Sequence, residues 1–121
     1  MVTRLSNNNG VVSMPFVDII AQPEKQVFDG VTIRTIHGQK LMMSYVHLQP
    51  HSTVAEHSHL HEQMGMVLEG TFELTIGGES RTLKKGDTYI IPSHVKHSAK
   101  AFDKVAIALD IFSPPREDYI S

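Results

Sequence analysis

The chain has 121 residues and no cysteine, with 11 basic against 13 acidic side chains and a formal net charge of -2. A chain of this length buries roughly two-thirds of its unfolded surface, so one domain can fold around one core without disulfides. The near balance of charge excludes the concentrated positive surface that nucleic acid or an anionic membrane would require.

The first ten residues, MVTRLSNNNG, lack the apolar core of a secretory signal, and no stretch is long enough to span a bilayer. We therefore expect a cytoplasmic protein that binds neither a membrane nor nucleic acid. A single domain is expected over residues 1–121. Within it, residues 1–15 are predicted to form a flexible or peripheral arm, because the segment begins polar and rich in asparagine.

Short predicted strands follow one another from Gln26 onward. The segment QVFDGVTIRTI predicts two strands joined by a turn at Asp29–Gly30, and LMMSYVHL, residues 41–48, predicts a third. Later turns, at residues 69–70, 77–78 and 85–87, separate runs in which apolar and polar residues alternate. KVAIALDIF, residues 104–112, is the final strand, and no segment indicates an amphipathic helix. This spacing is typical of an all-β sandwich or barrel.

Residues 57–63 read HSHLHEQ and concentrate imidazole side chains. In an extended strand, residues two apart point to the same side, so His57 and His59 should project together. A turn around residues 60–62 would bring Gln63 to the same ion from the neighbouring strand, and the segment PSHVKH offers His94 or His97 as a further ligand. A bare His-x-His pair is an incomplete site and is also compatible with no specific metal.

The spacing around these histidines resembles the first motif of the cupin family, G-x5-H-x-H-x3,4-E-x6-G. His57 and His59 match the histidine pair, Gln63 stands at the glutamate position and Gly70 at the closing glycine. The opening glycine is replaced by His51. The resemblance implies a small β-barrel of the jelly-roll or double-stranded β-helix type, with a metal inside its mouth.

The second cupin motif, G-x5-P-x-G-x2-H-x3-N, is matched by Gly86, Pro92 and His97, with His94 at its second glycine and Ala101 at its asparagine. The metal ligands implied by the resemblance are His57, His59, Gln63 and His97. We expect His51 and His94 to be solvated loop residues. His61 either lines the cavity or shields the turn.

A neutral amide at position 63 leaves a bound divalent ion with its full double charge. Such an ion attracts an anionic group, typically a carboxylate, into its open coordination positions. The absence of an anionic ligand therefore favours Lewis-acid chemistry on an acid over dioxygenase chemistry. The neutral nitrogen and oxygen ligands suit nickel or zinc best, with manganese or iron as alternatives.

One face of the last strand carries two alanines followed by Asp110 and Phe112, which is typical of a cavity wall. A buried carboxyl group in this apolar setting would have a raised pKa suited to acid–base work. After Pro114–Pro115 comes Arg116, whose guanidinium could bind a carboxylate in bidentate fashion. The alternative is that Asp110 only caps a loop and that Arg116 only meets solvent.

The segments HSHLHEQMGMVLEG, TIGGE and LDIFSPPREDY together resemble the KdgF-type cupins of pectin and alginate breakdown. The resemblance implies ring opening of 4,5-unsaturated monouronates, small anionic carbohydrates, to linear 5-keto-4-deoxyuronates. It also implies that Asp110, Phe112 and Arg116 are the catalytic residues and that the protein is a homodimer. The apolar outward residues of the last strand agree with an oligomer.

Two other functions stay open at this point. A metal-dependent cupin dioxygenase or other oxidoreductase would require iron or copper and would consume oxygen. A non-catalytic cupin that binds sugar acids would bind them without turnover.

Overall fold

The computed structural model describes residues 15–120, which form two antiparallel β-sheets. In chain order the strands are β1 (Lys25–Phe28), β2 (Val31–His37), β3 (Met42–Leu48), β4 (Thr53–His57), β5 (Glu62–Glu69), β6 (Thr71–Ile76), β7 (Glu79–Lys84), β8 (Thr88–Ile91), β9 (His97–Ala101) and β10 (Ala106–Ser113). A 3-10 turn at Ile19–Ala21 precedes them and a short helix, α1 (Glu117–Ile120), follows. The predicted arm lies outside the described residues, apart from Pro15.

The strand order shows that the chain crosses repeatedly between the two sheets. The larger sheet has the order β1-β2-β3-β10-β5-β8 and the smaller the order β4-β9-β6-β7. Because β4 and β5 are consecutive in the chain but belong to different sheets, the segment between them passes from one sheet to the other. The arrangement is a jelly-roll-like sandwich, which confirms the predicted all-β fold.

The predicted strands agree with the structure to within two residues at their ends. Glycines at the turns mark where strands end, as at Glu69–Gly70 between β5 and β6. Gly70 has a φ of 75°, and a Cβ there would collide with the carbonyl oxygen of Val105. Only glycine combines that backbone conformation with such a close approach. The helix α1 was missed, since four residues make one turn and cannot display a 3.6-residue period. No helix among residues 15–120 is long and apolar enough to cross a membrane.

The core lies between the inner faces of the two sheets. On β6, Phe72 and Leu74 are buried while Glu73 between them is not, which is the alternation the sequence predicts. The cluster of buried apolar residues consists of Val31, Leu48, Val67, Phe72, Leu74, Ala101, Ala106 and Ala108. On β10 the alternation is complete, because Ala106, Ala108, Asp110 and Phe112 are all buried. The one polar residue of this inward set, Asp110, therefore lies towards one end of the sandwich.

The outer face of the larger sheet is apolar where β5, β8 and β10 run side by side. Met64 and Met66 of β5 are 43% and 42% exposed, and Ile90 of β8 is 58% exposed. Met66 pairs with Leu109, and Met64 with Ile111, on the neighbouring β10. This exposed apolar face is the one the sequence associates with an oligomer.

Candidate metal centre

Four residues with metal-binding side chains meet at one end of the sandwich. His57 ends β4 and His97 begins β9, and the two residues pair directly in the smaller sheet, with ring centroids 4.3 Å apart. His59 lies in the segment between the sheets, and its ring centroid is 4.9 Å from that of His97. Gln63 is the second residue of β5 in the larger sheet. The candidate centre therefore joins the two sheets.

The prediction that His57 and His59 project from one extended strand is wrong. Strand β4 ends at His57, and His59 belongs to the irregular segment that leads to β5. The expectation that Gln63 comes from the strand beside His57 is also wrong, because that neighbour is β9. Ser58 to His61 carry the chain across the open end of the sandwich, so a connection rather than a shared strand face brings these side chains together.

Backbone carbonyl oxygens fix the orientation of all three imidazoles. The Nδ1 atoms of His57, His59 and His97 lie 2.9, 3.0 and 2.9 Å from the carbonyl oxygens of Ala55, His61 and Val95, respectively. A carbonyl oxygen only accepts hydrogen bonds, so each Nδ1 carries the proton and each Nε2 presents a lone pair. Ligand atoms of the three rings lie within 4.8 Å of one another. The backbone contacts therefore preorganise the three rings as a set of nitrogen ligands.

The amide of Gln63 turns its oxygen towards this set. Gln63 Oε1 is 3.1 Å from His59 Nε2, while the amide N–H side donates to the carboxylate of Asp110. Burial, followed by the positive charge of Arg116, lowers the pKa of His59 to about 4, so its imidazole is neutral at neutral pH. Two lone pairs then face each other across 3.1 Å, an arrangement that a cation between them stabilises. The donor set fits a divalent metal ion.

These residues open onto a cavity of about 630 Å³, a volume that includes its mouth. Of the seven side chains that the sequence assigns to the site, six line it: His57, Gln63, His97, Asp110, Phe112 and Arg116. The seventh, His59, lies with its ring centroid 5.7 Å from that of Phe112. The fold thus brings the predicted ligands and the predicted trio into one place.

Asp110 is buried in the wall of this cavity. The Tyr89 hydroxyl donates to its Oδ1 at 2.5 Å, and Gln63 donates to the same carboxylate. Burial raises the pKa of Asp110 to about 6, against the opposing effect of these hydrogen bonds and of the Arg116 charge. The carboxyl group can therefore hold and release a proton near neutral pH.

The sequence analysis missed Tyr89 and Gly65, which together position Asp110. Both residues are aligned with it across the sheet, since Gly65 pairs with Asp110 on one side and with Tyr89 on the other. A Cβ on Gly65 would collide with the Asp110 carboxylate and the Tyr89 ring, so the absent side chain makes room for their hydrogen bond. The available signal was a glycine at an inward position within a strand.

Arg116 is 9% exposed and does not simply meet solvent. Its guanidinium lies 4.0 Å from the ring centroid of Tyr119 and 5.3 Å from that of Phe112. Its Nε and Nη2 atoms donate to the two carboxylate oxygens of Asp118 at 3.3 and 3.0 Å. The bidentate partner in the structure is therefore an acid of the chain itself, and helix α1 holds the arginine at the cavity.

The three other histidines of the motif regions separate into two kinds. His51 and His94, which replace motif glycines, are exposed as expected and have φ values of 63° and 66°. These values lie in the left-handed region, which explains why glycine suits both positions. The His61 side chain is buried, with the residue only 5% exposed, its Nε2 lies 3.5 Å from the Glu117 carboxylate, and neither ring nitrogen has a hydrogen-bond partner among residues 15–120. It is not among the residues that line the cavity.

Comparison with known proteins settles the family. The family description "Cupin domain" matches residues 44–112, more than half of the chain. The chain belongs to the cupin family. It is 33% identical to the pectin degradation protein KdgF of Dickeya dadantii over 100 residues, covering 81% of this chain and 91% of that protein.

Solved structures agree with this assignment. The structure of KdgF from Halomonas sp. superposes with a TM-score of 0.82 at 30% identity, covering 89% of this cupin and all of that chain. An RmlC-like cupin from Shewanella frigidimarina gives the same TM-score at 28% identity, covering 89% and 97% of the two chains.

Removing one imidazole should abolish tight metal binding. We expect His59→Ala and His97→Ala to weaken the binding of nickel or zinc by more than about 100-fold, because even partners of metal ligands contribute 10–100-fold. Isothermal titration and metal analysis of the purified protein measure the effect. His94→Gly is the matched control, since it removes an exposed histidine of the same region and should leave the affinity unchanged. Wild-type affinity in His59→Ala would contradict the assignment.

Filling the space at Gly65 should destabilise the fold. Gly65→Ala is expected to lower the free energy of unfolding by about 1–3 kcal/mol, because the added methyl group overpacks the Tyr89–Asp110 contact. Urea unfolding measures the difference. In Gly38→Ala the new methyl group meets nothing within 4 Å, so its stability should stay within about 0.5 kcal/mol of wild type. Equal stabilities of the two variants would argue against the steric account.

Proposed function

We propose that this cupin is a metal-dependent enzyme of pectin or alginate breakdown. It opens the ring of 4,5-unsaturated monouronates to give linear 5-keto-4-deoxyuronates. The observation that carries the proposal is the double contact of Gln63, whose amide oxygen faces the His59 imidazole while its N–H side donates to the buried Asp110. A proton carrier thus lies directly beside a site for a dication. The similarity to proteins named KdgF supports the same class of substrate.

One divalent ion, nickel or zinc in the first place and manganese or iron otherwise, would be held by His57, His59, Gln63 and His97. Bound there, it supplies Lewis-acid polarisation of a carboxylate oxygen. All four ligands are uncharged, so the protein leaves the attraction for an anionic substrate undiminished. Arg116 adds a guanidinium at the cavity, whose charge Asp118 offsets in part, and this group also favours a small organic acid.

Asp110 carries the proton in this proposal. The substrate is a cyclic enol ether, and its C4 receives the proton from the carboxyl group. Water then adds at C5 and returns a proton to the carboxylate, so that Asp110 ends each cycle as it began. The resulting hemiketal then collapses: the bond between C5 and the ring oxygen breaks, the proton of the C5 hydroxyl passes to that oxygen, and a ketone remains at C5. A pKa of about 6 keeps both forms of Asp110 populated near neutral pH.

Phe112 and Arg116 shape the surroundings of that step. The Phe112 ring packs edge-on against His59, so it closes the cavity beside the metal ligands and provides an apolar wall. Arg116 is held between Tyr119, Phe112 and Asp118, which places its fixed charge where it can orient the substrate acid. We propose that the protein acts in the cytoplasm and needs no nucleic acid or membrane partner.

The turnover assay tests this proposal directly. Metal-loaded protein mixed with unsaturated galacturonate should remove the ultraviolet absorbance of the enol ether without consuming oxygen. Asp110→Asn should keep its metal but turn over about 10²–10⁴-fold more slowly, because the amide cannot transfer the proton. Asp103→Asn changes an exposed aspartate away from the cavity and should behave as wild type.

Two results would contradict the proposal. A wild-type rate equal to that of buffer, with the metal bound, would remove the ring-opening activity. Unchanged turnover in Asp110→Asn would show that Asp110 does not transfer the proton.

We also propose that the exposed apolar face of β5, β8 and β10 joins two copies of the chain in a homodimer. Light scattering should then give twice the 13.5 kDa mass of the chain. Met66→Lys places a charge in the middle of this face and should shift the mass towards the monomer. Lys100→Glu changes an exposed side chain of the other sheet and serves as the control. A monomeric wild type would exclude the dimer.

A further inference from the structure

A row of aligned residues crosses the larger sheet one step deeper than the metal ligands. Asp110 of β10 pairs with Ser44 of β3 on one side and with Gly65 of β5 on the other. Gly65 in turn pairs with Tyr89 of β8. The neighbouring row contains Phe112 and Gln63, so the Ser44 row lies two residues, or about 7 Å, further along the strands. That depth is comparable to the length of one pyranose ring.

Ser44 is the member of this row whose polar group is not used by the fold. The residue is 0% exposed, and its Oγ has no hydrogen-bond partner among the described residues. Buried hydroxyl groups nearly always have a partner, and leaving one unpaired costs free energy. The other polar atoms of the row are satisfied, because Tyr89 donates to Asp110. The hydroxyl of Ser44 therefore retains an unused donor and an unused acceptor.

The side chains around Ser44 on its wall of the cavity are aliphatic. Strands β2 and β3 contribute five lining residues, namely Val31, Ile33, Ser44, Val46 and Leu48. Four of the five are aliphatic, so within the described chain Ser44 provides the only side-chain hydroxyl on that wall. A single polar group in an apolar wall fixes the orientation of a ligand more than it adds to affinity.

We propose that Ser44 is a specificity-determining residue that hydrogen-bonds a ring hydroxyl of the bound sugar acid. This inference rests on the proposed function, which brings the carboxylate of a monouronate to the metal ligands. The sugar ring then lies at the depth of Ser44. The contact lies on the opposite side of Asp110 from Tyr89. It holds the ring against the apolar wall while Asp110 faces the carbon that it protonates.

The test compares substrates that differ by one hydroxyl group. The probes are unsaturated galacturonate and its 2-deoxy and 3-deoxy analogues, each assayed with metal-loaded wild type and Ser44→Ala. In wild type, deleting the hydroxyl that Ser44 contacts should lower kcat/KM by about tenfold, the usual effect of one neutral hydrogen bond. In Ser44→Ala that discrimination should fall to nearly one, while discrimination at the other hydroxyl is kept. Ser98→Ala, on the opposite wall of the same cavity, should preserve both ratios.

Thermal unfolding without substrate provides a readout that does not depend on turnover. Because the Oγ has no partner in the fold, Ser44→Ala should unfold at the same temperature as wild type or a few degrees higher. A lower unfolding temperature would show that the hydroxyl has a structural partner, such as a bridging water, and would overturn the proposal.

The two failures are distinguishable. If wild type is active but Ser44→Ala keeps the tenfold discrimination at both hydroxyls, the role of Ser44 is wrong and the proposed function stands. If wild type does not act on unsaturated galacturonate at all, the proposed function fails and this inference fails with it.

Discussion

The orientation of one amide group determines how the rest of the site is arranged. An amide has an acceptor end and a donor end, and at Gln63 the acceptor faces the lone pair of His59, one of the three clustered imidazoles. The donor end is bound to the Asp110 carboxylate, so rotation of the group would place its oxygen against a carboxylate and lose that hydrogen bond. A glutamate here would place two acids side by side in a buried place and raise the pKa of at least one of them. Glutamine therefore links the ligand set to the buried acid without adding charge.

The fold supplies this arrangement by joining its two sheets at one end. The smaller sheet provides the paired His57 and His97, and the larger provides Gln63 and Asp110 on adjacent strands. The chain that crosses between the sheets adds His59, whose ring is fixed by the carbonyl oxygen of His61. Since each imidazole is held by backbone rather than by another side chain, the site depends on the position of the strand ends. The apolar core at the other end of the sandwich keeps those ends in place.

The fold and most of the candidate site could be predicted from the sequence. Alternating polarity located β6 and the inward face of β10, because burial on one face imposes a period of two. Motif spacing selected His57, His59, Gln63 and His97, which the structure brings together. It did not reveal that His59 lies off the strand, since spacing alone cannot tell which sheet a segment enters. Ser44, Gly65 and Tyr89 were missed because they meet Asp110 through strand register, which depends on pairings far apart in the sequence. The partner of Arg116 was missed for a different reason, since Asp118 is close in sequence but acts only once helix α1 forms.

The left-handed backbone at residues 51 and 94 has a consequence for how the family motif should be understood. Glycine at these two places records a dihedral requirement rather than a chemical role, and histidine meets it at a modest energetic cost. Side chains branched at Cβ would be much less tolerated there, whereas asparagine or aspartate would be accepted more readily. Searches that demand both glycines would overlook chains such as this one. A pattern that specifies the torsion angle and leaves the residue type open would recover them.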